Sequence, residues 1–135
     1  MKGRIKLVAW CDQEAVLAHP ATGAFLTHCG WNSTLESLSE GVPMVCWPYF
    51  VEQTTNCYYV CQVWGVGLEI EGEVRREKVE KLVRETMEGD KAAEMRRRAT
   101  EWKQSAKTAI EPGGSSYVNL EALLSDLAKT KEVCK

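Results

Sequence analysis

Residues 10–53 read WCDQEAVLAHPATGAFLTHCGWNSTLESLSEGVPMVCWPYFVEQ, and the reading of this 44-residue block decides the fold. At its centre residues 24–28 (AFLTH) form a β-prone run, and residues 32–39 carry helical spacing closed by Gly41. Between them lies the turn His28-Cys29-Gly30-Trp31-Asn32-Ser33, made of small and hydrogen-bonding residues. A strand that turns straight into a helix N-terminus presents free N–H groups and the positive end of the helix dipole, which suits a phosphate. Residues 42–47 (VPMVCW) follow as a continuous apolar run of the kind buried on both faces of a parallel sheet.

The pattern continues outward in both directions. Residues 5–10 are predicted as a short strand, and residues 13–19 (QEAVLAH) as a brief helix ended by Pro20 and Gly23. Downstream, residues 52–64 read as a helix and residues 66–70 (VGLEI) as a further strand. Such alternation predicts an α/β fold with a parallel sheet flanked by helices. The rest turns helical: residues 75–88 with Val79, Leu82, Val83 and Met87 on one stripe, then residues 90–107 with Ala92, Met95, Ala99, Trp102 and Ala106. Pro112-Gly113-Gly114 separates these from a last helix at 115–129, with Leu120, Leu124 and Leu127 on one face. No internal repeat or low-complexity segment is present.

A chain of 135 residues with 44% hydrophobic content fits one domain. Such a domain buries roughly two-thirds of its unfolded surface. A net charge of −2 and a pI near 5.8 give no global reason for nucleic-acid binding. Charge is uneven: residues 1–74 hold 3 Lys/Arg against 8 Asp/Glu, residues 75–107 hold 11 against 7. Mixed signs on helices read as solvated faces, and Arg96-Arg97-Arg98 lie among acids rather than in a basic patch. Six cysteines at 11, 29, 46, 57, 61 and 134 show no CxxC pair and no histidine at zinc spacing. Cys57 and Cys61 stand one helical turn apart, which suits two buried thiols, and a reducing compartment is favoured. The opening MKGRIKLVAW is too short in apolar residues for a signal peptide, and no run reaches the length of a membrane span. The expected setting is cytoplasmic.

Several side chains in the block point to a ligand. Ser33-Thr34-Leu35-Glu36 fits the S-x-x-E capping box, worth about 1 kcal/mol without any ligand. It equally fits a phosphate seat at the C-terminal edge of the sheet, where open α/β folds bind ligands. His28, at a strand end, suits an anionic oxygen or a backbone partner. Trp10, before a loop, suits stacking on a planar base, worth on the order of 1–3 kcal/mol, or ordinary packing. Glu52 and Gln53, after the next buried strand, suit sugar hydroxyls or an acidic helix N-terminus.

Jointly, across all 44 residues from Trp10 to Gln53, the block resembles the PSPG box. That box is the donor-binding signature of plant UDP-dependent glycosyltransferases. Downstream, WGVGLEIEGEVRREKVEKLV and GGSSYVNLEALL are similar to the C-terminal part of the same family, especially its cyanohydrin and iridoid-aglycone glucosyltransferase branch. The resemblance implies a GT-B fold of two Rossmann-like domains, the C-terminal one holding the nucleotide sugar. Residues 1–74 would be a partial Rossmann-like donor-binding region and residues 75–135 the C-terminal helices of the same domain, ending in a helical tail. It implies that Trp10 stacks on uracil while the main chain of Cys11 bonds the base edge. Gln13 and Glu36 would contact the ribose, and His28, Asn32 and Ser33 the diphosphate. Trp31 would approach the sugar through its backbone, and Glu52 and Gln53 would bond the sugar hydroxyls.

The implied donor is UDP-glucose, with no cofactor and no metal; the implied acceptor is a small lipophilic hydroxyl compound, not nucleic acid or membrane. One position departs from the family, which usually has proline where this chain has Asp12. That puts a carboxylate near the diphosphate. The family's histidine base and its aspartate belong to the N-terminal domain, so no catalytic residue is assigned here. In a 3-2-1-4-5-6 order the 5–10 strand would be third, and the strands that normally separate it from residues 24–28 have no candidate. It would then pair across that gap or hang with exposed edges. The expectation is a C-terminal fragment, marginal in stability and inactive alone, with a non-catalytic nucleotide-sugar-binding remnant of a truncated gene as the alternative.

Overall fold

Three short parallel strands and their crossover helices organise the molecule, in a computed structural model that describes residues 5–133, with side chains through residue 129. Strands β1 (Phe25–Thr27), β2 (Met44–Cys46) and β3 (Gly67–Glu69) lie in that order, each parallel to its neighbour. Leu26, Val45 and Leu68 stand level across the sheet. Helix α2 (Trp31–Glu40) joins β1 to β2, and α3 (Glu52–Tyr58) with its continuation joins β2 to β3. The central strand is buried at all three positions, which is why its sequence is apolar without alternation. Gly67 is required on β3, where a Cβ would meet the Val60 side chain and the Met44 carbonyl at 2.6 and 2.8 Å.

The core on one sheet face joins Met44 and Cys46 to Cys29, Leu38 of α2, Cys57, Val60, Val66 and Ala99. Helix α2 closes on Gly41, whose φ of 70° is the left-handed geometry that glycine tolerates. The same end lies against α5 (Gly89–Ile110), where Lys103 Nζ meets Glu40 Oε2 at 2.8 Å. Helix α4 (Arg76–Met87) contacts β2, β3 and α5, and α6 (Ser115–Val133) lies on α5.

Two expectations are corrected. Residues 5–10 form no strand; Ile5, Leu7 and Val8 are exposed, Leu7 at 92%, so the segment runs unpaired. Without a neighbouring strand its β-propensity has nothing to act on. The helix expected over 52–64 is α-helical only to Tyr58, then π-helical from Tyr59 to Val63. There the Trp64 N–H donates to the Tyr59 carbonyl at 2.7 Å, five residues back. The brief helix expected at 13–19 is α1 (Gln13–Leu17). Among the described residues no helix is long and apolar enough to cross a membrane.

Candidate functional site

The mouth of α2 is built by the turn after β1. Buried Thr27 accepts the Cys29 N–H on its hydroxyl at 3.1 Å, and its carbonyl accepts the Trp47 N–H at 2.8 Å. Cys29, wholly buried, takes a φ of 65°, and Asn56 of α3 donates to its carbonyl at 2.9 Å. Hydrogen bonding with Cys46 lowers the Cys29 thiol, but hydrogen bonding with Cys57 and burial outweigh it and push the thiol up to about 12. Gly30 then serves as N-cap in extended geometry, with φ −61° and ψ 146°.

Among the described residues no side chain caps this helix, and Gly30 rather than Ser33 is its N-cap, so the capping-box alternative is overturned. The first amide to bond back is that of Thr34, to Gly30 O at 3.0 Å. The N–H groups of Trp31, Asn32 and Ser33, in the first turn, are therefore the ones a helix leaves without an internal partner. Ser33 and Glu36 instead face Gln13 of α1, whose Nε2 donates to Ser33 Oγ at 3.0 Å and to Glu36 Oε2 at 2.6 Å. One amide thus sets the positions of a hydroxyl and a carboxylate on the flank of the mouth. The His28 ring lies over Gly30: a Cβ there would fall 3.0 Å from its Cε1 and closer still to its Nε2.

The remaining predicted residues surround this point. Trp10, 82% exposed, and exposed Cys11 immediately precede α1. Asp12, at the departing position, is the N-cap of α1, its Oδ1 accepting the Ala15 N–H at 3.0 Å. Trp31 and Asn32 are exposed at the mouth. Glu52 is exposed at the start of α3, beyond the C-terminal end of β2. Gln53 is buried and partly committed: its Oε1 accepts the N–H groups of Tyr49 and Phe50 at 2.9 and 3.3 Å, leaving its amide nitrogen as the donor. Supporting residues not singled out from the sequence are Thr27 and Asn56, which fix the turn from below. Their signal is tertiary, since Asn56 bonds a carbonyl 27 residues away.

An uncapped helix mouth at the C-terminal edge of a parallel sheet, flanked by a latched acid, is an arrangement that suits an anion. Solved structures share the fold. A rice protein, Os79 from O. sativa in complex with UDP, superposes with a TM-score of 0.84 at 43% identity, covering 87% of this chain and 27% of that one. Glycyrrhiza uralensis UGT73P12 does so with a TM-score of 0.87 at 35% identity, over 93% and 28%. The fold is thus a partial Rossmann-like domain of a GT-B glycosyltransferase. Residues 2–104 match the family of UDP-glucoronosyl and UDP-glucosyl transferases, and the chain belongs to it. UDP-glycosyltransferase 85A8 of Stevia rebaudiana is 55% identical over 96% of this chain and 27% of its own length. The 7-deoxyloganetin glucosyltransferase of Catharanthus roseus is 55% identical over 93% and 26%, and the (R)-mandelonitrile beta-glucosyltransferase of Prunus dulcis 54% over 92% and 26%. The chain therefore spans about a quarter of the length of the curated relatives it matches.

Proposed function

We propose that this chain supplies the donor seat of a glucosyltransferase that moves glucose from UDP-glucose to a small lipophilic hydroxyl compound. The observation that carries the proposal is the Gln13–Ser33–Glu36 latch beside three uncapped amides. In it Trp10 stacks on the uracil and the Cys11 main chain bonds its edge. Gln13 and Glu36 hold the ribose, with Glu36 accepting from its hydroxyls. The α2 amides, His28, Asn32 and Ser33 hold the diphosphate, so charge developing on the departing UDP meets fixed donors. Trp31, Glu52 and the amide of Gln53 address the sugar. Neither histidine is assigned as base: His28 lies over the mouth, and His19 Nδ1 accepts the Ala21 N–H at 3.1 Å. Deprotonation of the acceptor is assigned to groups outside these residues. Holding the diphosphate by these donors requires no metal ion, and the unpaired state of the five described cysteines fits a cytoplasmic setting.

The test is a UDP titration of the chain read by tryptophan fluorescence, with Trp10 and Trp31 as reporters. Saturable change, displaced by UDP-glucose and lost in Glu36→Ala, is expected. A flat titration, or an unchanged one in Glu36→Ala, overturns the assignment.

A further inference from the structure

Beneath the donor seat three thiols converge from three different elements. Cys29 on the turn after β1, Cys46 at the end of β2 and Cys57 in α3 place their sulfurs all within 4.8 Å of one another. Each is buried to within 1% of complete. A fourth sulfur, that of half-buried Cys61 on the π-helical segment, lies 4.0 Å from Cys57 Sγ. Cys61 also lines a cavity of about 570 Å³ together with Glu69, Lys78, Lys91 and Arg98, so the fourth thiol stands between the cluster and that cavity.

A single buried thiol packs as a small apolar group. Three that meet, with a fourth beside one of them, are a different chemical object, because thiolate sulfur is the preferred ligand of soft and borderline d10 cations. A zinc–sulfur bond of about 2.3 Å sets the sulfurs of a trigonal or tetrahedral site roughly 3.8–4.0 Å apart. The sulfurs of Cys29, Cys46 and Cys57 need shifts of under about 1 Å to reach the trigonal spacing, and Cys61 closes in from beside Cys57.

We propose that Cys29, Cys46 and Cys57, completed by Cys61, form a binding site for a d10 divalent cation of the zinc type. Binding is coordination without electron transfer: sulfur–metal bonds form, and each ion displaces two thiol protons to solvent to keep the buried site neutral, with further release as pH rises. The ion would join the turn under the phosphate seat to β2 and to α3. It holds that floor in place and takes no part in sugar transfer, and the site stands whether or not the donor reading does.

Cadmium reports such a site directly through its thiolate-to-metal charge-transfer absorption in the ultraviolet. The chain carrying Cys11→Ser and Cys134→Ser, fully reduced, is titrated with Cd2+ while absorbance, proton release and thermal midpoint are followed. One ion per chain, at least two protons released per ion, a raised midpoint, and loss of the band in Cys46→Ala are expected. Because Cys46→Ala empties a core position, Cys61→Ser at the cavity wall is the second variant, with at least tenfold weaker binding and an unchanged far-ultraviolet dichroism spectrum. No band at one equivalent, or the same affinity in both variants, overturns the proposal. So does a loss of two hydrogens by mass under mild oxidant with Cd2+ binding absent, which marks a disulfide pair instead.

Discussion

Replacing Gly30 by alanine separates the binding role of the α2 mouth from its folding role. The backbone there, φ −61° and ψ 146°, is open to any residue, so no strain is introduced. Restricting the unfolded chain stabilises by about 0.4–1 kcal/mol, and alanine's weakness as an N-cap costs about 0.5–1 kcal/mol. Net stability therefore moves by less than about 1 kcal/mol. The new methyl, however, falls 3.0 Å from His28 Cε1 and in collision with Nε2, so the imidazole must swing off the mouth. A hydrogen bond to a charged group contributes about 1.5–3 kcal/mol, so UDP should bind about 10- to 150-fold more weakly. Calorimetric UDP titration paired with thermal melting reads both effects. In a His28→Ala background the same substitution should add almost nothing, because its action runs through the imidazole. Unchanged UDP affinity, or an equal loss with and without His28, would refute the reasoning.

Asn56→Ala leaves the buried Cys29 carbonyl without its donor and should cost about 1–3 kcal/mol in urea unfolding. Asp12→Pro removes the α1 cap, a loss of about 0.5–2 kcal/mol, but matches the φ of −71°, which returns about 0.4–1 kcal/mol; stability should fall by no more than about 1.5 kcal/mol while calorimetry shows tighter UDP binding. Glu94 is held down to about 2, first by its hydrogen bond with Arg97 and then by Arg98. A depressed carboxyl stabilises the fold above its ordinary value of 4.5 and loses that contribution as pH falls toward 2. The melting difference between the native chain and Glu94→Gln should therefore shrink over that window, and also shrink in high salt because the group is exposed.

Local pattern sufficed for the elements whose partners are adjacent in sequence. Residues 24–28 and 42–47 contain β1 and β2, and Gly41 marks the end of α2, because buried parallel strands and left-handed closures leave composition signals. The S-x-x-E spacing misled because it proposes Ser33 as cap, whereas Gly30 ends the strand turn and Gln13 draws Ser33 and Glu36 away. That latch joins residues 20 and 23 positions apart, a separation with no periodic signature. The family block nevertheless singles out Trp31, Asn32 and Ser33, whose amides open at the mouth, but not Thr27 and Asn56 beneath it. The grouping of Cys29, Cys46 and Cys57 was illegible for the converse reason. Their sequence spacing is irregular, and only the sheet register and the α3 crossover bring them together. Cys134 lies outside the described residues.

Strand β1 has a hydrogen-bonded neighbour on one side only among the described residues. Because the Phe25 amide and the Thr27 carbonyl turn toward β2, the pleat directs the Leu26 peptide groups the other way, beneath a side chain that is 54% exposed. Such a border invites a second copy to extend the sheet, so the polypeptide carries a built-in tendency to self-associate wherever that border is left bare.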